Sequence, residues 1–119
     1  MSRESGKTSE NLAAQFLEKL GFRIIARNVT YAFGELDLVA KDGETLVFVE
    51  VKHRLNISYG MPFEAVTKSK QRKIIKAAQA FLQKISPTPN CRFDVISMVG
   101  APDKLVIDHI KDAFWAEAY

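Results

Sequence analysis

The chain has 119 residues and a net charge of +3, enough for one domain with a core of two or three layers and too short for a second. Its single cysteine, Cys91, excludes an internal disulfide and any multi-cysteine zinc site, fits a reducing cytosol, and is assigned to packing. No apolar run approaches the roughly 20 residues of a membrane helix, and the polar start MSRESGKTSE does not read as a signal peptide, so a soluble cytoplasmic protein is expected.

Ser5, Thr8 and Ser9 offer helix caps. Leu12, Ala13, Phe16, Leu17 and Leu20 then recur at helical spacing until Gly21, predicting an amphipathic helix of about three turns. Glu10 falls one turn before Ala13 and Ala14, at the margin of the buried face. A first-turn acid that answers the helix dipole accounts for it; an acid reaching under the sheet toward the next strands does so too. Phe22 to Thr30 reads as a strand with Ile24 and Ile25 in the core and Arg27 and Asn28 at its close.

Gly34 to Arg54, GELDLVAKDGETLVFVEVKHR, is the most informative stretch. Asp42-Gly43 between two β-forming runs predicts a two-residue hairpin, because Asp-Gly tolerates the positive φ of a type I′ turn. That turn pairs Lys41 with Glu44, Asp37 with Phe48 and Glu35 with Glu50. Period-2 alternation then puts Glu35, Asp37, Phe48, Glu50 and Lys52 on one face, with Asp37 and Glu50 diagonal neighbours at about 7 to 8 Å. Leu46 to Val51 reads as a strand covered on both faces, where an unpaired carboxylate is expensive. Either Glu50 is paired with Lys52 or Arg54, or the acids hold a hard divalent cation through oxygen ligands. In the second case Lys52 is placed to orient a water or stabilise a phosphate.

The connector Leu55 to Glu64 carries Tyr59, Met61 and Phe63, which are expected to fold under onto the core; a partner or nucleic-acid contact is the other reading. A second helix is predicted from Thr67 to about Ile85, with Ile74, Ile75, Ala78, Phe81, Leu82 and Ile85 as its buried stripe. Gln71 extends that stripe toward the helix start, as a site contact or a cap. Lys68, Lys70, Arg72 and Lys73 crowd the first turns, where the helix dipole disfavours cations, so an anion is expected there. Between Lys52 and Lys76 seven Lys and Arg face one acid, Glu64, making that window +6 and the remainder of the chain −3. This is the footprint of a phosphate-backbone binder, or a solvated helix face.

SPTPN at 86 to 90 is a turn. Arg92 to Val99 and Leu105 to Asp108 read as strands, with Asp94 paired to Arg92 or a nearby lysine. Asp112 to Tyr119, with Phe114 and Trp115, reads as a short closing helix. His53 and His109 are isolated and are assigned neither as ligand nor as base. The order helix, three strands, helix, two strands predicts an α/β sandwich: a central mixed sheet flanked by helices, in one domain over 1 to 119.

Asp37 followed by Glu50-Val51-Lys52 resembles the D…ExK signature of the restriction-endonuclease-like superfamily, the PD-(D/E)xK nucleases, which include archaeal Holliday-junction resolvases. Leu36 stands where the superfamily motif has Pro. Arg27-Asn28, GELD at 34 to 37, Asp42-Gly43, VFVEVKHR at 47 to 54, YGMPFEAV at 59 to 66, Lys70 and RFDVI at 92 to 96 are similar, nearly end to end, to the YraN family of small bacterial proteins. The resemblance implies an αβββαβ core and a Mg²⁺ (or Mn²⁺) nuclease site. By position it makes Asp37 and Glu50 metal ligands, Lys52 the catalytic lysine and Glu10 a helix-borne catalytic acid; Glu35 is a further ligand candidate.

The expected activity is a metal-dependent endonuclease acting on DNA rather than RNA, on a branched or processed form. Arg54, Lys68, Lys70, Gln71, Arg72, Lys73 and Lys76 would hold the backbone. Resolving a junction would require a homodimer. The alternatives are a nucleic-acid-binding module with a vestigial site, and a protein-interaction subunit using Tyr59, Met61 and Phe63.

Overall fold

The computed structural model of the chain describes residues 3–116, with side chains from Thr8 onward. Helix α1 spans Arg3–Lys19, followed by strands β1 (Arg23–Tyr31), β2 (Gly34–Asp42) and β3 (Thr45–Arg54). A one-turn 3₁₀ helix, Pro62–Ala65, leads into α2 (Lys68–Leu82), and β4 (Cys91–Val99) and β5 (Val106–Phe114) complete the sheet. The five strands lie in chain order. All neighbours are antiparallel except β3 and β4, which are parallel. A parallel pair needs a long crossover, and α2 supplies it. The result is an α/β fold with a mixed sheet, consistent with a restriction-endonuclease-like core.

Each helix covers one face. Ala13, Ala14 and Leu17 of α1 pack on Leu38, Ala40, Val47, Val49, Ile96 and Met98, while Ile74, Ile75, Ala77 and Ala78 of α2 pack on Val39, Leu46, Phe48, Phe93 and Val95. This explains the unbroken apolar run in β3. Its successive side chains face opposite helices, and each full burial contributes roughly 1.5 to 3 kcal/mol.

The hairpin turn differs from the expected one. Asp42 pairs with Thr45, so the loop residues are Gly43 and Glu44. Only Gly43 takes positive φ, at 61°, which is the II′ pattern with Gly first and not I′. The register therefore slides by two residues from the expected pairs, Asp37 with Phe48 and Glu35 with Glu50. An even slip leaves the faces of β3 unchanged, but β2 changes parity at Asp37, with Leu36 packed on the α2 side and Leu38 and Ala40 on the α1 side, so the expected single face for Glu35, Asp37, Glu50 and Lys52 does not hold for Glu35.

Other expectations are corrected. The strand read as Leu105 to Asp108 runs on to Phe114, and no helix begins at Asp112; residues 117–119 of that predicted helix lie outside the described residues. A bulge opposite Phe93–Val95 absorbs the extra residues of β5, with Asp112 left-handed at φ 53°. The α1 helix is longer than expected and is already under way at Arg3, so Ser5, Thr8 and Ser9 lie within the helix and not at its start. A bulge at Ile24/Ala26 turns Ile25 outward, and β1 continues past Arg27 and Asn28 to Tyr31. Cys91 is exposed rather than packed. Thr67 does cap α2, its hydroxyl accepting from the Lys70 N–H. No helix among the described residues is long and apolar enough to cross a membrane.

Gly34 positions α2. A Cβ there would sit 2.8 Å from the Lys73 carbonyl oxygen, so only glycine lets the start of β2 lie directly against the helix backbone. The basic first turns of α2 are thereby fixed at the end of the sheet where β2 begins and β3 ends.

Candidate metal centre

The β2–β3 ladder stops at Leu38↔Val49, whereas β1 and β2 stay paired out to Tyr31↔Gly34. The two central strands thus diverge just before Asp37 and Glu50. Two carboxyls close the opened ladder. Asp37 Oδ2 accepts the Val51 N–H at 2.9 Å, and Glu50 lies against the Asp37 N–H and shares a side-chain hydrogen bond with the Asp37 carboxyl. This is where the acids meet: level across the fork, not diagonal.

Glu50 is only 8% exposed. Burial first, and then the Asp37 charge, push its carboxyl up to about 9, although the Lys52 charge pulls the other way. Asp37 is raised as well, chiefly by burial, against hydrogen bonding from Val51 and attraction to Lys52. Two carboxyls this close, both raised by burial, form a site short of positive charge. Glu10 reaches the same place from α1. Its carboxyl is raised by burial and by Asp37, with a hydrogen bond from Asn28 opposing. One oxygen each from Glu10, Glu35 and Asp37 falls within 4.8 Å of the others. Glu50 lies outside that trio and joins it through Asp37.

The donor set fits a hard divalent cation. Only carboxylate oxygens are offered, from three elements, and the charge they share is compensated nearby by Lys52 alone of the groups that shift Asp37 and Glu50. Of the sequence-predicted residues, Glu10, Glu35, Asp37, Glu50 and Lys52 come together at the fork.

The cationic set is distributed differently. Arg54 donates to the carbonyls of Tyr59, at 2.6 Å, and Gly60, at 3.1 Å, bracing the loop after β3. Gln71 donates its side-chain amide to the Val66 carbonyl, tying the helix to the chain before it, while Thr67 is the cap. Lys68, Lys70, Arg72, Lys73 and Lys76 are exposed on α2. Tyr59 is 94% and Phe63 41% exposed, so this loop does not fold under onto the core; Pro62 is its buried anchor.

Asn28 was missed as a site residue. It is left-handed at φ 51°, a conformation that Asn tolerates better than most residues, and it holds Glu10. An Asn inside a β-branched run was the available signal. Ser97 was missed too: its buried hydroxyl has no partner among the described residues, and it pairs in register with Lys52. Asp94 is satisfied as expected by Arg92, and also by His109 at 2.7 Å and the Asp112 N–H. His109 and His53, the latter against the Gly100 carbonyl, serve structure.

The sequence of residues 9–98 matches the uncharacterised protein family UPF0102. The chain belongs to that family. It is 47% identical over 120 residues to a UPF0102 protein of Chlorobium chlorochromatii, covering 96% of this chain and 93% of the relative. It is 49% identical over 118 residues to one of Symbiobacterium thermophilum, covering 98% and 100%. A third, from Geobacter sulfurreducens, is 52% identical over 111 residues, covering 92% and 87%. The UPF0102 match runs from one residue before Glu10 to one residue past Ser97, so it contains the whole acid fork and ends before β5.

Proposed function

We propose that this UPF0102 protein is a Mg²⁺- or Mn²⁺-dependent endonuclease that hydrolyses DNA phosphodiester bonds in the cytoplasm. The observation that carries the reading is the pair of buried carboxyls, Asp37 and Glu50, set where β2 and β3 diverge and sharing their face with Lys52.

Asp37 and Glu50 would hold the cation, with Glu35 and Glu10 completing an oxygen-only set. A divalent ion bound there supplies Lewis-acid polarisation of the phosphoryl group and a more acidic water. Lys52 would place an ammonium beside the attacking water and the developing phosphate charge. Glu10, held by Asn28 beside Asp37, would be the helix-borne acid of the site. Lys70, Arg72 and Lys73, fixed at this end of the sheet by the Gly34 contact, lie ready for backbone phosphates. A branched substrate would engage two such sites, hence a homodimer.

Nicking of supercoiled plasmid by the purified protein in Mg²⁺ or Mn²⁺ is the test. Glu50→Gln and Lys52→Ala, each with an unchanged circular-dichroism spectrum, should abolish nicking. Equal nicking by wild type and both variants would sink the proposal.

A further inference from the structure

We infer that Phe33 and Tyr59, the aromatic residues flanking the acid fork, are base-stacking platforms, and that the substrate is nucleic acid carrying unpaired nucleotides next to the scissile phosphate. The active-site floor rests on the endonuclease reading above; the stacking walls stand on their own observations.

Beyond Leu38↔Val49 the fork has two arms. One is the β1–β2 turn, at whose apex Phe33 is 44% exposed. The ring of Phe33 lies parallel to that of Tyr31, with centroids 5.6 Å apart and planes 3° apart, so Tyr31 backs a ring that stays largely in solvent. The second arm is the segment leaving β3. There Leu55 and Ile57 are 70% and 58% exposed, and Tyr59 is 94% exposed. This segment is not loose: the Arg54 guanidinium grips the Tyr59 and Gly60 carbonyls, and the Glu64 carboxylate accepts the Met61 N–H. A braced backbone thus displays an aromatic ring to water, which core packing gives no reason to do.

Charge identifies the occupant. The Phe33 arm borders the cationic part of α2, because Gly34 at the foot of its turn lies against the Lys73 backbone, and the Tyr59 arm carries the Arg54 guanidinium. An apolar protein surface settling here would have to desolvate these ammonium groups, whereas a nucleotide brings a flat apolar base and a phosphate together. In a duplex the base faces are already stacked inward. Only an unpaired nucleotide can present one to Phe33 or Tyr59.

The test compares binding of the full chain to one labelled oligonucleotide as a single strand and as a duplex, by fluorescence anisotropy in EDTA, where cleavage plays no role. Wild type should prefer the single strand. Phe33→Ala and Tyr59→Ala should each weaken single-strand binding about tenfold, leave duplex binding within about twofold, and Phe33→Trp should restore it. Equal losses on both forms, or no single-strand preference in wild type, would overturn the inference. So would a change in gel-filtration mass on Tyr59→Ala with single-strand affinity unaltered, which would make this loop an interface between copies. Failure of the endonuclease reading shows separately, as plasmid nicking indifferent to Glu50→Gln, with the single-strand difference still in place.

Discussion

Replacing Glu50 by Gln removes the most perturbed carboxyl at the fork while keeping its size. Burial and Asp37 hold Glu50 near 9 in place of 4.5. Between those values the folded chain keeps a proton that the unfolded chain has released, so stability without metal falls as pH rises through that window. Each pH unit traversed contributes about 1.4 kcal/mol, giving on the order of 5 kcal/mol between about pH 4.5 and pH 8. That is a large share of the roughly 5 to 15 kcal/mol of a typical domain. Gln carries no such titration, so in EDTA at about pH 8 the variant should melt well above wild type, at roughly 4 °C per kcal/mol. Added Mg²⁺ or Mn²⁺ should reverse the order. A cation at about one hundred times its dissociation constant stabilises by about 2.7 kcal/mol, and only wild type should gain it in full. The assay is thermal denaturation followed by circular dichroism, in EDTA and in metal, across pH 5 to 9. A wild-type midpoint that is flat or rising with pH in EDTA, or an equal metal response in both proteins, would refute the reasoning.

Asp94 titrates in the opposite sense. Its burial alone would raise it, but hydrogen bonds from His109, Arg92 and the Asp112 N–H outweigh that and hold it below the ordinary aspartate range. The stability it contributes is present above the unfolded value of about 3.9 and disappears as pH falls through and below it. Asp94→Asn should therefore cost about 3 kcal/mol in urea denaturation at neutral pH, with the deficit narrowing in acid; a neutral substitution would show that the Arg92 pair contributes nothing. Gly34→Ala should force α2 away from β2, lowering stability by about 1 to 3 kcal/mol and weakening DNA affinity in the same binding assay. An alanine variant with unaltered melting and affinity would show that the 2.8 Å approach to Lys73 is not what fixes the basic helix.

The layout of the fold was legible because its signals are local. Apolar spacing marked both helices, and continuous apolar runs marked strands covered on both faces. The end of the chain misled, because Phe114 and Trp115 near Asp112 suit a helix as well as a strand. What decided for the strand was pairing with β4 across a bulge, a non-local term. The connector after β3 misled in the same way. Tyr59 and Phe63 look like core residues by type, and only their position at the sheet end, on a loop braced by Arg54, leaves them in solvent.

The acid fork divides along the same line. By itself the sequence singled out Glu35, Asp37, Glu50 and Lys52, and period-2 alternation put Glu50 and Lys52 on one face of β3, but the change of parity between Leu36 and Leu38 was not legible in it. It could not determine which of them meet. That depended on whether the turn loop was Asp42-Gly43 or Gly43-Glu44, and on where β2 leaves β3, neither of which is written in the periodicity. The meeting of Glu10 with Asp37 depended on how α1 lies across the sheet and on the left-handed Asn28 that holds it. Local chemistry chose the residues; packing of elements distant in sequence brought the Glu10, Glu35 and Asp37 carboxyls together and set Glu50 beside Asp37.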